Sequence, residues 1–175
     1  MLEQDLAFHV GDQVIHWAYG PGVIIQLDEK ALFGNTSQYY VVKLRDLTLW
    51  VPISQSRQCC LRFPTPAKDF QKLFRILAEP GELLSSDRYE RKAFLTERFK
   101  ERSLESICLV IRDLTLRKRM KKMNDDDSTI LERARNFLLN EWSLVLSVPV
   151  HQAELELKGL LDRGDTFDNR RLSLT

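Results

Sequence analysis

The chain is poor in the residues that build small catalytic or metal centres. It has three histidines and three cysteines in 175 residues. His9 and His16 fall in one segment and His151 in another, without convergent partners, and His16 reads as a packing residue rather than an acid, base or ligand. Cys59 and Cys60 are adjacent and Cys108 stands apart, an odd set that makes a poor disulfide framework and a poor zinc site. These cysteines read as reduced thiols of a cytoplasmic protein. There is no G-x-x-x-x-G-K-[ST] loop, no G-x-S-x-G and no H-E-x-x-H, so the sequence predicts neither an enzyme nor a cofactor. No run of 18 apolar residues exists, which excludes a membrane-spanning helix. The start, MLEQDLAFHVGD, has neither the basic end nor the apolar core of a signal peptide. The formal net charge is only +1, so no polyanion-coating protein is evident, but charge is unevenly spread. Between Arg98 and Lys122 there are 9 Lys/Arg against 3 Asp/Glu, and such a local patch can steer a phosphate backbone.

What the chain does have is a β-rich first third. Val14 and Ile15 precede a glycine turn, Val23 to Leu27 is an apolar run, Gln38 to Leu44 is β-branched and aromatic, and Leu47 to Val51 alternates. Gly/Pro/Asn turns separate these pieces, with Phe33 to Thr36 one of them. The spacing predicts a small, bent antiparallel sheet or barrel over residues 8–63. Gly20 and Gly22 suit a turn needing positive φ or close backbone approach. Cys59 to Phe63 is a last apolar piece able to pack back on this module. Met1 to Ala7 reads as a frayed lead-in. Pro64-Thr65-Pro66 breaks the chain and marks a short, stiff boundary.

Beyond the prolines the pattern is helical. Phe70, Leu73, Phe74 and Leu77 form one stripe over 67–78. A second helix is expected over 87–102, capped by Ser85 or Ser86, and a third from Ser103 to about residue 122. Asn124 to Asp127 reads as a polar loop, and Thr129-x-x-Glu132 as a capping box opening a fourth helix to about 147. Phe137 and Trp142 lie on its apolar face. Pro149 opens a short fifth helix, whose leucines at 155, 157, 160 and 161 close the bundle. Residues 164–175 read as a disordered tail. The fold class is α+β: a Tudor/SH3-like antiparallel β barrel over 8–63, then a bundle of four or five helices over 67–163.

The β segment carries Gly11-Asp12-x-Val14-Ile15-His16, Gly20-x-Gly22, Tyr39-x-Val41-x-Lys43 and Asp46-x-x-Leu49-x-Val51-Pro52. In this it resembles the RNA-polymerase-interacting domain shared by CarD/CdnL transcription regulators and the bacterial transcription-repair coupling factor. Without a phosphate loop, and with a helical second half, the chain is similar to a CarD/CdnL protein over residues 8 to 163. The resemblance implies a cytoplasmic, nucleoid-associated regulator. Its β module would bind the RNA polymerase β subunit by pairing sheet edges, and its helical domain would contact promoter DNA and modulate open-complex stability.

On that reading Lys30, Tyr39 and Trp50 are candidates for the polymerase surface. Lys30 occupies the family's basic position, and Trp50 stands where relatives often carry arginine. Alternation sets Trp50 opposite Leu49 and Val51 and favours exposure, whereas Tyr39 is more often a core residue. The DNA candidates are Arg88, Tyr89, Arg91 and Lys92, with Arg117, Lys118, Arg119 and Lys121 in the basic stretch. The family's minor-groove wedge tryptophan falls at Ser85 here, and two neighbouring basic positions fall at Asp87 and Glu90. Serine cannot act as an apolar wedge. Tyr89 is the nearest aromatic, with helix–helix packing its commoner use. Two further readings stay open: a polymerase-binding adaptor without DNA contact, and a Tudor/SH3-like reader of peptide or RNA that uses Trp17, Tyr19, Tyr39, Tyr40 and Trp50 as a cage.

Overall fold

The computed structural model describes residues 7–32, 35–55 and 60–172. Contacts divide the chain into two units, Met1–Pro64 and Thr65–Thr175.

The first unit is an antiparallel sheet in the order β4-β3-β2-β1-β5. Its strands are β1 (Gln13–His16), β2 (Gly20–Leu32), β3 (Asn35–Lys43), β4 (Thr48–Pro52) and β5 (Leu61–Arg62). Among the described residues the sheet is not closed: β4 and β5 are its two edges, so the sheet-or-barrel reading resolves to a sheet. The Cys59–Phe63 piece does pack back, with Leu61 and Arg62 pairing against His16 and Ile15. β2 runs well beyond the apolar Val23–Leu27. Asp28 to Leu32 pairs with Asn35 to Tyr39 although it lacks a hydrophobic period. Much of that hairpin end faces solvent, so backbone pairing rather than burial holds it. The turn expected at Phe33 and Gly34 lies outside the described residues, as does most of the Met1–Ala7 lead-in; Ala7 itself packs against the core.

Strand pairing sorts the side chains onto two faces. Ile24, Tyr40, Val42 and Val51 point inward and cluster with Phe8, Val14, Leu44 and Leu61. Gly20 has φ +82°, a conformation side chains resist. Gly22 is needed for a different reason: a Cβ there would lie 2.8 Å from Val42 Cγ1 and 3.0 Å from the Lys43 carbonyl oxygen.

His16 closes the turn that follows β1. Its Nδ1 accepts from the Ala18 N–H at 3.1 Å, and its ring lies 5.0 Å from that of Tyr19. Burial pushes its pKa below the ordinary 6.5. The unfolded chain therefore takes up a proton here more readily than the folded one, and stability is full above pH 6.5 and falls as pH drops through the folded pKa. Thermal melts of the full chain at pH 7.5 and 5.5 should show a loss that is smaller in His16→Asn, which keeps an acceptor but does not titrate. An equal loss in both proteins would remove His16 from the account.

Among the described residues the second unit holds five α-helices: α1 (Phe70–Ala78), α2 (Arg88–Lys100), α3 (Leu104–Met120), α4 (Asp125–Leu146) and α5 (Val150–Leu172). Phe70, Leu73 and Leu77 of α1 are buried, and Phe74 stacks at 4.6 Å on Trp142, which is fully buried. Phe137 is half-buried, while Leu157 and Leu161 complete the core. Three boundaries differ from the sequence reading. The cap of α2 is Asp87, whose carboxylate accepts from the Tyr89 and Glu90 N–H groups at 2.8 and 2.9 Å. The supposed polar loop Asp125–Asp127 is the first turn of α4, capped by Asn124, whose Oδ1 accepts from the Asp127 N–H at 2.8 Å. Three acids at a helix N-terminus also suit its dipole. Finally, α5 is 23 residues long and continues past residue 163 to Leu172. The rest of the expected tail, 173–175, lies outside the described residues.

Candidate functional site

Trp50 stands on the outer face of the sheet and is 45% exposed. Register brings it beside Val41 and Gln26, and brings Tyr39 beside Asp28 on the same face. The indole Nε1 donates to Asp28 Oδ2 at 2.9 Å, and Lys30 Nζ lies 4.1 Å from the ring centroid. Such a cation–π contact is worth about 0.5–1 kcal/mol at an exposed site. Its larger effect is geometric: Asp28 at the ring edge and Lys30 over the ring hold the indole in place. Tyr39 is half-buried on this face, so it is neither core nor fully displayed. Tyr40 lies in the core on the opposite face from Trp50, so the five rings proposed as a cage do not share one pocket.

The start of α2 is a different kind of place. Arg91 is only 2% exposed. Its Nε lies 3.0 Å from both carboxylate oxygens of Asp127, and its Nη1 donates to the carbonyls of Ser85, Ser86 and Asp87 at 2.8–3.2 Å. Arg117 approaches the same Asp127 at 3.2 Å. Arg91 therefore fastens the Ser85–Asp87 segment to the first turn of α4 and has no charge to offer a ligand, a correction to its place among the DNA candidates. Arg117, at 15% side-chain exposure, is similarly committed.

Outside this buried cluster, Arg88 reaches Asp126 Oδ2 at 2.6 Å and Lys92 reaches Oδ1 at 3.3 Å. Hydrogen bonds from Arg88 first and Lys92 second hold the Asp126 carboxyl below its usual range, and the same partner raises Arg88. A carboxylate thus sits where a phosphate would sit between these two cations. Ser85, the position at which the resemblance placed a wedge tryptophan, donates to Glu90 Oε2 at 2.8 Å and accepts from the Asp87 N–H. The Ser85–Asp87 segment thus serves as the lead-in and cap of α2. Tyr89 is 79% exposed and not packed between helices.

The remaining basic candidates lie at the end of α3. Arg119 pairs with Asp162 at 2.7 Å. Lys118 and Lys121 are exposed. Among the described residues no group of three or more His, Cys, Asp or Glu is placed to hold a metal, Cys60 and Cys108 are free, and no helix is long and apolar enough to cross a membrane.

A sheet with a braced aromatic on its outer face, followed by a helical unit, defines a two-module α+β protein. Residues 8–63 match the model of the CarD-like/TRCF RID domain, and residues 72–158 match that of the CarD C-terminal domain. The chain is also 26% identical over 151 residues to YdeB, a candidate transcription factor of Bacillus subtilis (strain 168), covering 83% of this chain and 96% of YdeB. The chain belongs to the CarD-like family of transcription regulators, and its N-terminal module is of the RNA-polymerase-interacting kind.

Proposed function

We propose that this protein binds the RNA polymerase β subunit through the outer face and β4 edge of its sheet, with Trp50, Lys30 and Tyr39 in the contact. The helical unit then adjusts the lifetime of the promoter open complex through phosphate contacts that do not read sequence. Its place of action is the polymerase on the nucleoid, and its effect is a shift between two states by differential affinity, without bond chemistry.

The observation that carries this reading is the Lys30–Trp50–Asp28 cluster. A tryptophan braced by a hydrogen bond and a cation loses little freedom on binding, which favours an interface anchor. An open strand edge beside it suits strand addition. The test is binding of the full chain to the lobe region of its polymerase β subunit. Lys30→Glu should weaken it by about tenfold, since it reverses one contact charge and unseats the ring. Unchanged affinity would remove this face from the interface.

A second reading, an adaptor without DNA contact, is favoured by the pairing of Arg88, Arg91, Lys92 and Arg117 with Asp126 and Asp127. Open-complex lifetimes that do not change on adding the protein, despite lobe binding, would select it.

A further inference from the structure

The basic groups left uncommitted by the α2 start gather elsewhere. Two adjoining hollows of about 670 and about 700 Å³ share Lys118, Leu131, Arg135 and Glu154, and together form one trough along the end of α3, the first half of α4 and the first half of α5. Lys118, Lys121 and Lys122 enter it from the end of α3, Arg135 from α4 and Lys158 from α5, facing the acids Glu132, Glu154 and Asp162, the last of which is paired with Arg119. None of these five cations takes part in an ion pair among the described residues. The helix dipole accounts for cations in the last turn of α3. It does not account for Arg135 and Lys158, which come from two other helices to the same trough.

We infer that this trough is the helical unit's phosphate-binding surface, and that it takes the backbone of duplex DNA. The inference rests on the proposed role at promoter DNA and moves the contact from the α2 start to the α3–α5 face. The chemistry favours an extended polyanion. The positive groups are spread over two joined hollows, not focused on one point, and most are lysines, which bind phosphate as point charges without fixing its orientation. The floor, with Leu131 and Leu139, offers little to read a base edge. At the α2 start, by contrast, Asp126 already occupies the space between Arg88 and Lys92. Sequence reading picked out Lys118 and Lys121 from their clustering along the chain. Lys122 closes the same basic stretch, whereas Arg135 and Lys158 were missed, because only helix packing brings them alongside.

The experiment is binding of the full chain to a labelled 30-base-pair duplex from 50 to 200 mM salt. The variants are Lys118→Glu/Lys122→Glu, its neutral counterpart Lys118→Gln/Lys122→Gln, and Arg88→Gln/Lys92→Gln. All the substituted side chains are exposed or paired at the surface, and thermal melts check folding. The Glu pair should lower affinity at 50 mM salt at least about tenfold, the Gln pair should lower it less, and each should flatten the log–log salt slope by about 2. The α2 pair should change it less than about threefold, because those cations already face Asp126. Unaltered binding by both trough variants overturns the assignment, as does absence of duplex binding by the wild type at 50 mM salt. Tighter, trough-dependent binding of a single-stranded RNA of equal length would also overturn it. Polymerase lobe binding, measured in parallel, should be the same in all variants. Its absence in the wild type would sink the polymerase tether but not the trough.

Discussion

Asp127→Ala should be the most damaging single substitution in the helical unit, costing about 3–5 kcal/mol. The reason lies in what remains. Asp127 is 1% exposed and Arg91 2%, so removing the carboxylate strands a guanidinium in the interior with only backbone carbonyls as partners. Arg117 loses its partner at the same time. Against total stabilities of about 5–15 kcal/mol, this is a large share, equivalent to a fall in Tm of roughly 15 °C. Urea unfolding followed by helical circular dichroism measures it. Arg91→Met should rescue part of the loss when combined with Asp127→Ala, because the pair then leaves one fewer unpaired charge. A cost below about 1 kcal/mol for the single variant would mean that water reaches this cluster and that it does not hold α2 to α4. Asp126→Ala, one residue away and at the surface, is the contrast: its loss should be far smaller, because solvent screens an exposed pair.

Trp50→Ala should raise the Kd for the polymerase β lobe about thirtyfold or more, the usual scale of a loss of 2 kcal/mol at an interface anchor. It should do so with little effect on folding, because the ring lies on the outer face and the core cluster behind the sheet does not include it. The effect should exceed that of Lys30→Glu, since the truncation removes both the apolar area and the surface on which Lys30 is seated. Trp50→Phe should fall between, keeping a ring but losing the Nε1–H donor to Asp28. Wild-type affinity in Trp50→Ala would place the polymerase contact on another face. A thermal shift as large as the affinity loss would show that the residue acts through folding.

Sequence alone carried the α+β plan, the strand-rich module ending at the prolines and the helical half, because each rests on a local period or on a backbone restriction. Alternation about Trp50 placed that ring on the face opposite Leu49 and Val51, and the open sheet keeps it there. The stripe of Phe70, Leu73 and Leu77 is core for the same reason: a helix puts those positions on one side. The start of α4 was misread: Asn124 to Asp127 passed for a loop because the later Thr129-x-x-Glu132 pattern competed, although Asn124 followed by three acids is itself a start signal.

Tertiary structure decided the rest. Sequence counts charges without saying which carboxylate each will meet. Arg91 and Lys92 are neighbours in the chain, yet one is buried against Asp127 and the other reaches Asp126 at the surface. Ion pairing depends on positions 34 to 38 residues apart meeting through helix packing. The same holds for Lys118, Arg135 and Lys158, which are spread along three helices and brought to one trough. It holds for the sheet, in which β4 and β5 do not pair with each other among the described residues. Local periodicity determined the elements and their faces. Which charges remain free to act was settled only when distant side chains were brought within a few ångströms, where Coulomb attraction and desolvation choose the partners.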